Sequence, residues 1–217
     1  MIQLPIAGKY VTWAKAAVVI FTTVGLVGMI VAPGLFAPLS PFNLLLNAVL
    51  LGLFVQEWSP HMIRFTIMTV AVGIAIEILG VRTGVIFGEY HYGDALGFKM
   101  GEVPAVIGVN WWILTICAMD IAARFTSSFG ARVALGALLM TGLDVLIEPI
   151  APKLDFWYWV EDAATLRNYV GWLLVSSFLH MVGRVLQLNS KNALAPWVMI
   201  SQALFFIGLN IWFWFHV

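Results

Sequence analysis

Asp144 and Glu148 stand four residues apart in the run GLDVLIEPIAP, and Glu77 sits in a second apolar run, AIEILG. On a helix, that spacing of four stacks the two carboxylates on one face. Where water is scarce, two carboxylates so close do not both ionise readily. One then keeps its proton to an unusually high pH, which is the property a general acid needs. The same pair would also serve to glue helices together through Arg82 or Arg167. Spacing alone leaves both readings open.

Other residues extend the chemistry. The stretch GVRTGVIFGEYHYGD carries Arg82, Tyr90 and Tyr92, and FWYWVED carries Trp157 and Trp159. In extended chain, residues two apart point to one side. Tyrosine hydroxyls there can bond a carboxylate or a water, and indole faces can line an apolar tunnel, face a cation or simply pack a loop. Gly80, Gly84, Gly88 and Gly93 allow tight turns or close helix approach. Asn110 and Asn168 are polar companions. Asp120 with Arg124, and His180 with Arg184, share i,i+4 spacing and read as a structural ion pair and a buried hydrogen-bonded histidine. The four histidines are scattered with no two on one helix face, so no metal is expected. Cys117 lies in an apolar run and reads as a small core residue.

These residues must be positioned by a membrane protein. Of 217 residues, 62% are hydrophobic and only 10% charged, with formal net charge zero. The mean hydropathy is +0.96, and such a composition is not that of a soluble domain. Without runs of Lys or Arg, neither a nucleic-acid groove nor a basic surface patch is indicated. Apolar runs long enough to span occur at residues 13–32, 62–79, 103–123, 133–151, 169–188 and 195–215. A shorter one at 42–55, bracketed by Pro41 and Pro60, fits a tilted short span or a re-entrant segment. The expectation is a single all-α integral membrane domain over residues 1–217: a bundle of about seven transmembrane helices with a folded polar and aromatic loop on one face. The first span lacks a small-residue cleavage site and reads as a retained helix.

Depth then sorts the polar residues. Consecutive spans run in opposite directions at about 1.5 Å per residue. Glu77, Asn110, Asp144, Glu148 and Asn168 therefore fall on one side of the membrane, together with the loops 80–94 and 153–168. Asp120 and His180 lie toward the other side. With seven spans the amino-terminal side carries Lys9, Lys15, Arg64, Arg124, Arg132, Arg184 and Lys191, against Arg82, Lys99, Lys153 and Arg167 opposite. The positive-inside bias puts the amino terminus in the cytoplasm.

Taken in order and spacing, EILGVRTGVIFGEYHYGDALGFKMGEVPAVIGVNWW, DVLIEPIAP, FWYW and RNYVGW closely resemble the membrane-embedded carotenoid 1,2-hydratase family, whose members act on bisanhydrobacterioruberin, gamma-carotene and lycopene. The resemblance covers roughly residues 70–180. It implies addition of water across the terminal C=C bond of an acyclic carotenoid end to give a tertiary alcohol, with no organic cofactor. Its partners would be a lipophilic carotenoid drawn from the bilayer and the membrane lipids themselves. Matching positions include Glu77, Thr83, Phe87, Tyr90, Tyr92, Asn110, Trp111, Asp144, Glu148, Trp157, Trp159, Asn168 and Trp172. On this reading Asp144 or Glu148 is the acid, while Glu77 with Tyr90 or Asn110 holds and deprotonates the water. Trp157, Trp159 and Tyr92 face the cation, Thr83 and Phe87 wall the site, and Arg82 is a counter-charge. Glu89 and His91 fall at positions that vary in the family pattern. Many relatives have Asp-Pro where this chain has Glu148-Pro149, which keeps the carboxylate. A proline shortly before the Asn168 position is missing.

Three rivals remain. A carotenoid end-group cyclase would use the same protonation, and a non-enzymatic transporter would use carboxylates as proton relays. A seven-helix retinal protein needs a Schiff-base lysine within a span, and residues 195–217 contain none.

Overall fold

Proline and glycine mark where the helices begin and end. The computed structural model describes residues 10–188 and 190–216; Lys9, counted above among the cations, lies outside them. Helix α1 (Val11–Val31) is followed by α2 (Pro33–Phe36), a 3-10 turn (Ala37–Leu39) and α3 (Ser40–Leu53). Next comes α4 (Pro60–Thr83), whose first turn is capped by Ser59 accepting from the Met62 amide at 3.2 Å. It ends at Gly84 in the left-handed conformation, φ 64°. Strands β1 (Tyr90–Tyr92), β2 (Lys99–Met100) and β3 (Val103–Pro104) lead to α5 (Val106–Phe125) and α6 (Phe129–Ile147). Strand β4 (Trp157–Trp159), α7 (Leu166–Val185) and α8 (Ala195–His216) complete the order.

The bundle has the seven long helical segments expected, with two local corrections. The short span expected at 42–55 instead begins at Pro33, and α2, the 3-10 turn and α3 make one 21-residue apolar segment, Pro33–Leu53. Pro33, Pro38 and Pro41 each stand at the first or second position of a helical piece, where no amide hydrogen is required. The run at 103–123 starts helical only at Val106, because Val103 and Pro104 pair with Met100 and Lys99. Among the described residues, six segments are long and apolar enough to cross a membrane. The seventh, α7, is 20 residues long, about 30 Å, but carries Arg167, Asn168, His180 and Arg184.

Helix α5 is the axis. Its apolar window is 78% buried, against 17–33% for the other five candidate spans, so it lies at the centre and they lie toward the outside. It packs on α3, α4, α6, α7 and α8, while α1 lies outside against α8. In lipid, apolar burial drives association weakly, so close side-chain packing and interhelical hydrogen bonds must hold such a bundle. Trp111, Ile113 and Ile116 of α5 are completely enclosed.

The polar loop folds as a two-stranded antiparallel ladder, β1 with β4, pairing Tyr90 with Trp159, His91 with Tyr158 and Tyr92 with Trp157. Strand alternation turns Tyr90, Tyr92, Trp157 and Trp159 to the bundle and His91 with Tyr158 outward, where those two rings stack. Asp155 anchors the ladder. Its carboxylate accepts from the Asp94 and Ala95 amides at 2.9 and 3.1 Å and from the Tyr158 hydroxyl at 2.9 Å. Gly93 passes so close to Asp155 that no Cβ would fit there.

Candidate functional site

Glu77 projects from the last turns of α4 into the space beneath β1. Its Oε2 accepts the hydroxyls of Tyr90 at 2.5 Å and Tyr92 at 2.8 Å, and its Oε1 accepts the Trp111 indole at 3.0 Å. A carboxylate has about four lone-pair sites, so these donors leave about one. Burial, reinforced by the Glu77 charge, pushes the Tyr90 and Tyr92 phenols well above the usual tyrosine range, so both stay protonated and donate. Trp111 is held by stacking on Trp172 of α7, centroids 4.2 Å apart.

The second acidic centre is built at the end of α6. Asp144 lies in the final helical turn, and the Glu148 amide still bonds the Asp144 carbonyl at 3.0 Å, so the two side chains stay stacked. Asn168, opening α7, donates its amide to Asp144 Oδ2 at 2.7 Å and Glu148 Oε1 at 3.1 Å. Glu148 Oε2 also accepts the indoles of Trp159 at 2.6 Å and Trp157 at 3.2 Å. Asp144 Oδ1 is buried and accepts from none of these donors among the described residues. Asp144 is fully enclosed and Glu148 only 7% exposed. No cation reaches either: among the described residues the ion pairs are Lys99 with Asp94 and Arg124 with Asp120. Two adjacent buried carboxyls without a counter-ion favour sharing a proton over carrying two charges.

Both centres open on one small polar pocket of about 30 Å³, room for roughly one or two waters. Beside it lies a larger apolar cavity of about 410 Å³, walled by α1, α3 and α8. Ile107, Asn110, Ile147 and Trp157 line both spaces. At that junction the Asn110 side chain makes no hydrogen bond within the described residues, leaving its amide for a ligand or water. Among the described residues no group of three or more His, Cys, Asp or Glu side chains is arranged to hold a metal.

An acid pair behind a lipid-accessible apolar cavity agrees with the sequence comparisons. The family described as carotenoid biosynthesis protein matches residues 39–217. The chain belongs to this carotenoid biosynthesis family. Bisanhydrobacterioruberin hydratase of Haloarcula japonica is 33% identical over 110 residues, which is 47% of this chain and 38% of that protein. The match thus spans well under half of that relative's length. No solved structure matches the chain.

In this carotenoid biosynthesis protein, ten of the side chains singled out in the sequence as acids or as substrate or water contacts stand around the pocket. They are Glu77, Tyr90, Tyr92, Asn110, Trp111, Asp144, Glu148, Trp157, Trp159 and Asn168. Arg82 is not among them. It is exposed at the end of α4 and touches none of the carboxylates, so it is no counter-charge. Arg167 donates to the Gly84 carbonyl at 3.2 Å and not to the acid pair; the residue of α7 that bonds the pair is Asn168. Thr83 is exposed, with its hydroxyl on the Leu79 carbonyl, and does not wall the pocket; Phe87 does. Glu89 and His91 are both exposed. On the opposite face, Asp120 binds Arg124 at 2.7 Å, as its spacing suggested, and also holds the Asn192 amide at 2.8 Å. His180 is buried, with its ring against Gly136 of α6. Sequence reasoning did not anticipate the cavity walls from α1, α3 and α8, because apolar residues lining a cavity and those facing lipid look alike in one dimension.

Proposed function

We propose that this protein hydrates the terminal C=C bond of an acyclic carotenoid end, forming a tertiary alcohol without an organic cofactor. The single observation that carries the reading is the carboxyl pair, Asp144 and Glu148, opening on a water-sized pocket behind an apolar cavity. The substrate enters laterally from the bilayer into the cavity and places its end at the Asn110 and Trp157 junction.

The proton shared by Asp144 and Glu148 goes to the less substituted alkene carbon, leaving a tertiary cation on the neighbouring carbon. The indole faces of Trp157 and Trp159 and the Tyr92 ring stabilise that cation without reacting with it. Water held by Asn110, Tyr90 and Glu77 adds through oxygen and gives up a proton to Glu77. Relay of that proton to the acid pair restores the site, so the sum is alkene plus water to alcohol. Glu77, fixed at the pocket wall by the Tyr90, Tyr92 and Trp111 donors, keeps about one lone pair for that proton. The charge bias of the loops puts the amino terminus in the cytoplasm and this site toward the opposite face of the membrane.

Expression in a host that makes lycopene, followed by mass analysis of extracted pigment, tests the reading. Hydration adds the mass of one water per reacted end. Ring closure at the same cation leaves the mass unchanged, so an isomer in place of a hydrate would assign the site to a cyclase instead. Pigment unchanged with lycopene, gamma-carotene and bacterioruberin precursors alike would refute both.

A further inference from the structure

The large cavity is not uniformly apolar. Beyond the junction it is lined by Asn43 and Asn47 of α3 and Gln202 of α8. Asn43 is ten residues into the segment Pro33–Leu53, about 15 Å deep, and Gln202 is the eighth residue of the 22 in α8. Both therefore stand well inside apolar segments long enough to cross a membrane. Amides at that depth cost free energy unless they are bonded.

The Asn47 amide nitrogen is bonded, since it donates to the Asn43 carbonyl at 2.9 Å and to Asn43 Oδ1 at 2.8 Å. This bond occupies the oxygen of the Asn43 amide and orients its Nδ2 toward Gly25 of α1, where an added Cβ would lie 4.0 Å from it. Asn43 Nδ2 and the whole Gln202 amide make no hydrogen bond within the described residues, although both line the cavity. A hydrocarbon filling the space would leave these groups unpaired. A ligand oxygen would satisfy them.

We propose that Asn43 and Gln202 form a polar subsite, set deeper than the acid pocket, that binds a hydroxyl or carbonyl oxygen of the substrate. The preferred substrate is then a carotenoid end that is already oxygenated, and a preceding oxygen-introducing reaction must supply it. This deepens the hydration reading and rests on it for the identity of the ligand as a carotenoid.

The test is binding, read as quenching of tryptophan fluorescence in the purified full chain in detergent. The ligands are an acyclic hydrocarbon carotenoid and its hydroxylated counterpart. The unmodified protein should bind the hydroxylated form about tenfold tighter, the scale of one well-made hydrogen bond in a poorly hydrated site. Asn43→Leu and Gln202→Leu should each reduce that ratio toward one. Gln202 is half-buried, so its variant carries the test if Asn43→Leu does not fold. Equal affinities in the unmodified protein, or a preference that survives Gln202→Leu, would overturn the subsite. Binding with the expected preference but no hydrated product would leave the subsite standing and reject the hydration.

Discussion

Tyr90 and Trp159 are cross-strand partners whose rings lie 5.0 Å apart, and each gives its polar hydrogen to a different carboxylate. Tyr90 donates to Glu77 and Trp159 to Glu148. One register position of a three-residue ladder therefore fixes the spacing between the acid pair and the carboxylate that faces it. A slip of either strand by one residue would turn its two aromatic donors to the outer face.

Trp159→Phe keeps the ring and the ladder but removes the shorter of the two indole bonds to Glu148. A hydrogen bond to a charged group contributes about 1.5–3 kcal/mol, so turnover should fall roughly ten- to hundredfold. Hydrated pigment per unit of folded protein measures it. Unchanged turnover would mean that the Trp159 bond does not shape the acid.

Asp144→Asn and Glu148→Gln are close to isosteric and take away the transferable proton. General acid catalysis supplies about 10²–10⁴-fold, so each variant should lose at least a hundredfold in hydration while melting near the unmodified protein. Neither should abolish carotenoid binding, because the cavity walls are untouched. A folded Asp144→Asn, Glu148→Gln double variant that still makes hydrate would place the acid elsewhere.

The depth argument carries most of what was legible beforehand. Glu77, Asn110, Asp144, Glu148 and Asn168 each lie within about two turns of a helix end on one face, and counting residues was enough to gather them. The alternation of Tyr90 with Tyr92 and of Trp157 with Trp159 pointed to their common side, and the ladder brings the two pairs together. Arg82 misled because charge complementarity ignores direction: at the end of α4 its long side chain reaches solvent more cheaply than it reaches buried acids. The Pro33–Leu53 segment misled because proline was weighed as a stop, whereas at a first helical position it is a start. Asp155 as the pin of the ladder had no signal beyond being one acid among several in a loop.

Arg82→Gln follows from the same geometry. With its side chain exposed and off the pocket, the substitution should change stability by no more than about 0.5 kcal/mol and leave turnover within about twofold. Thermal melting and pigment analysis on the same preparation check both. A large loss of turnover in a folded Arg82→Gln protein would return this arginine to the site.

Asp120 provides the converse case at the other end of the bundle. Its buried carboxylate accepts from Arg124, Ser190 and the Asn192 amide, and Asn192 in turn donates to the Leu51 carbonyl at 2.8 Å. These bonds tie the connection between α7 and α8 to α5 and α3. Asp120→Ala leaves a buried amide and a hydroxyl without acceptors, at a cost of about 1–3 kcal/mol each. The variant should melt several degrees lower and become more sensitive to protease between α7 and α8. Its turnover per folded molecule should stay unchanged, since Asp120 does not line the acid pocket. Loss of turnover without loss of stability would instead couple this face to the chemistry.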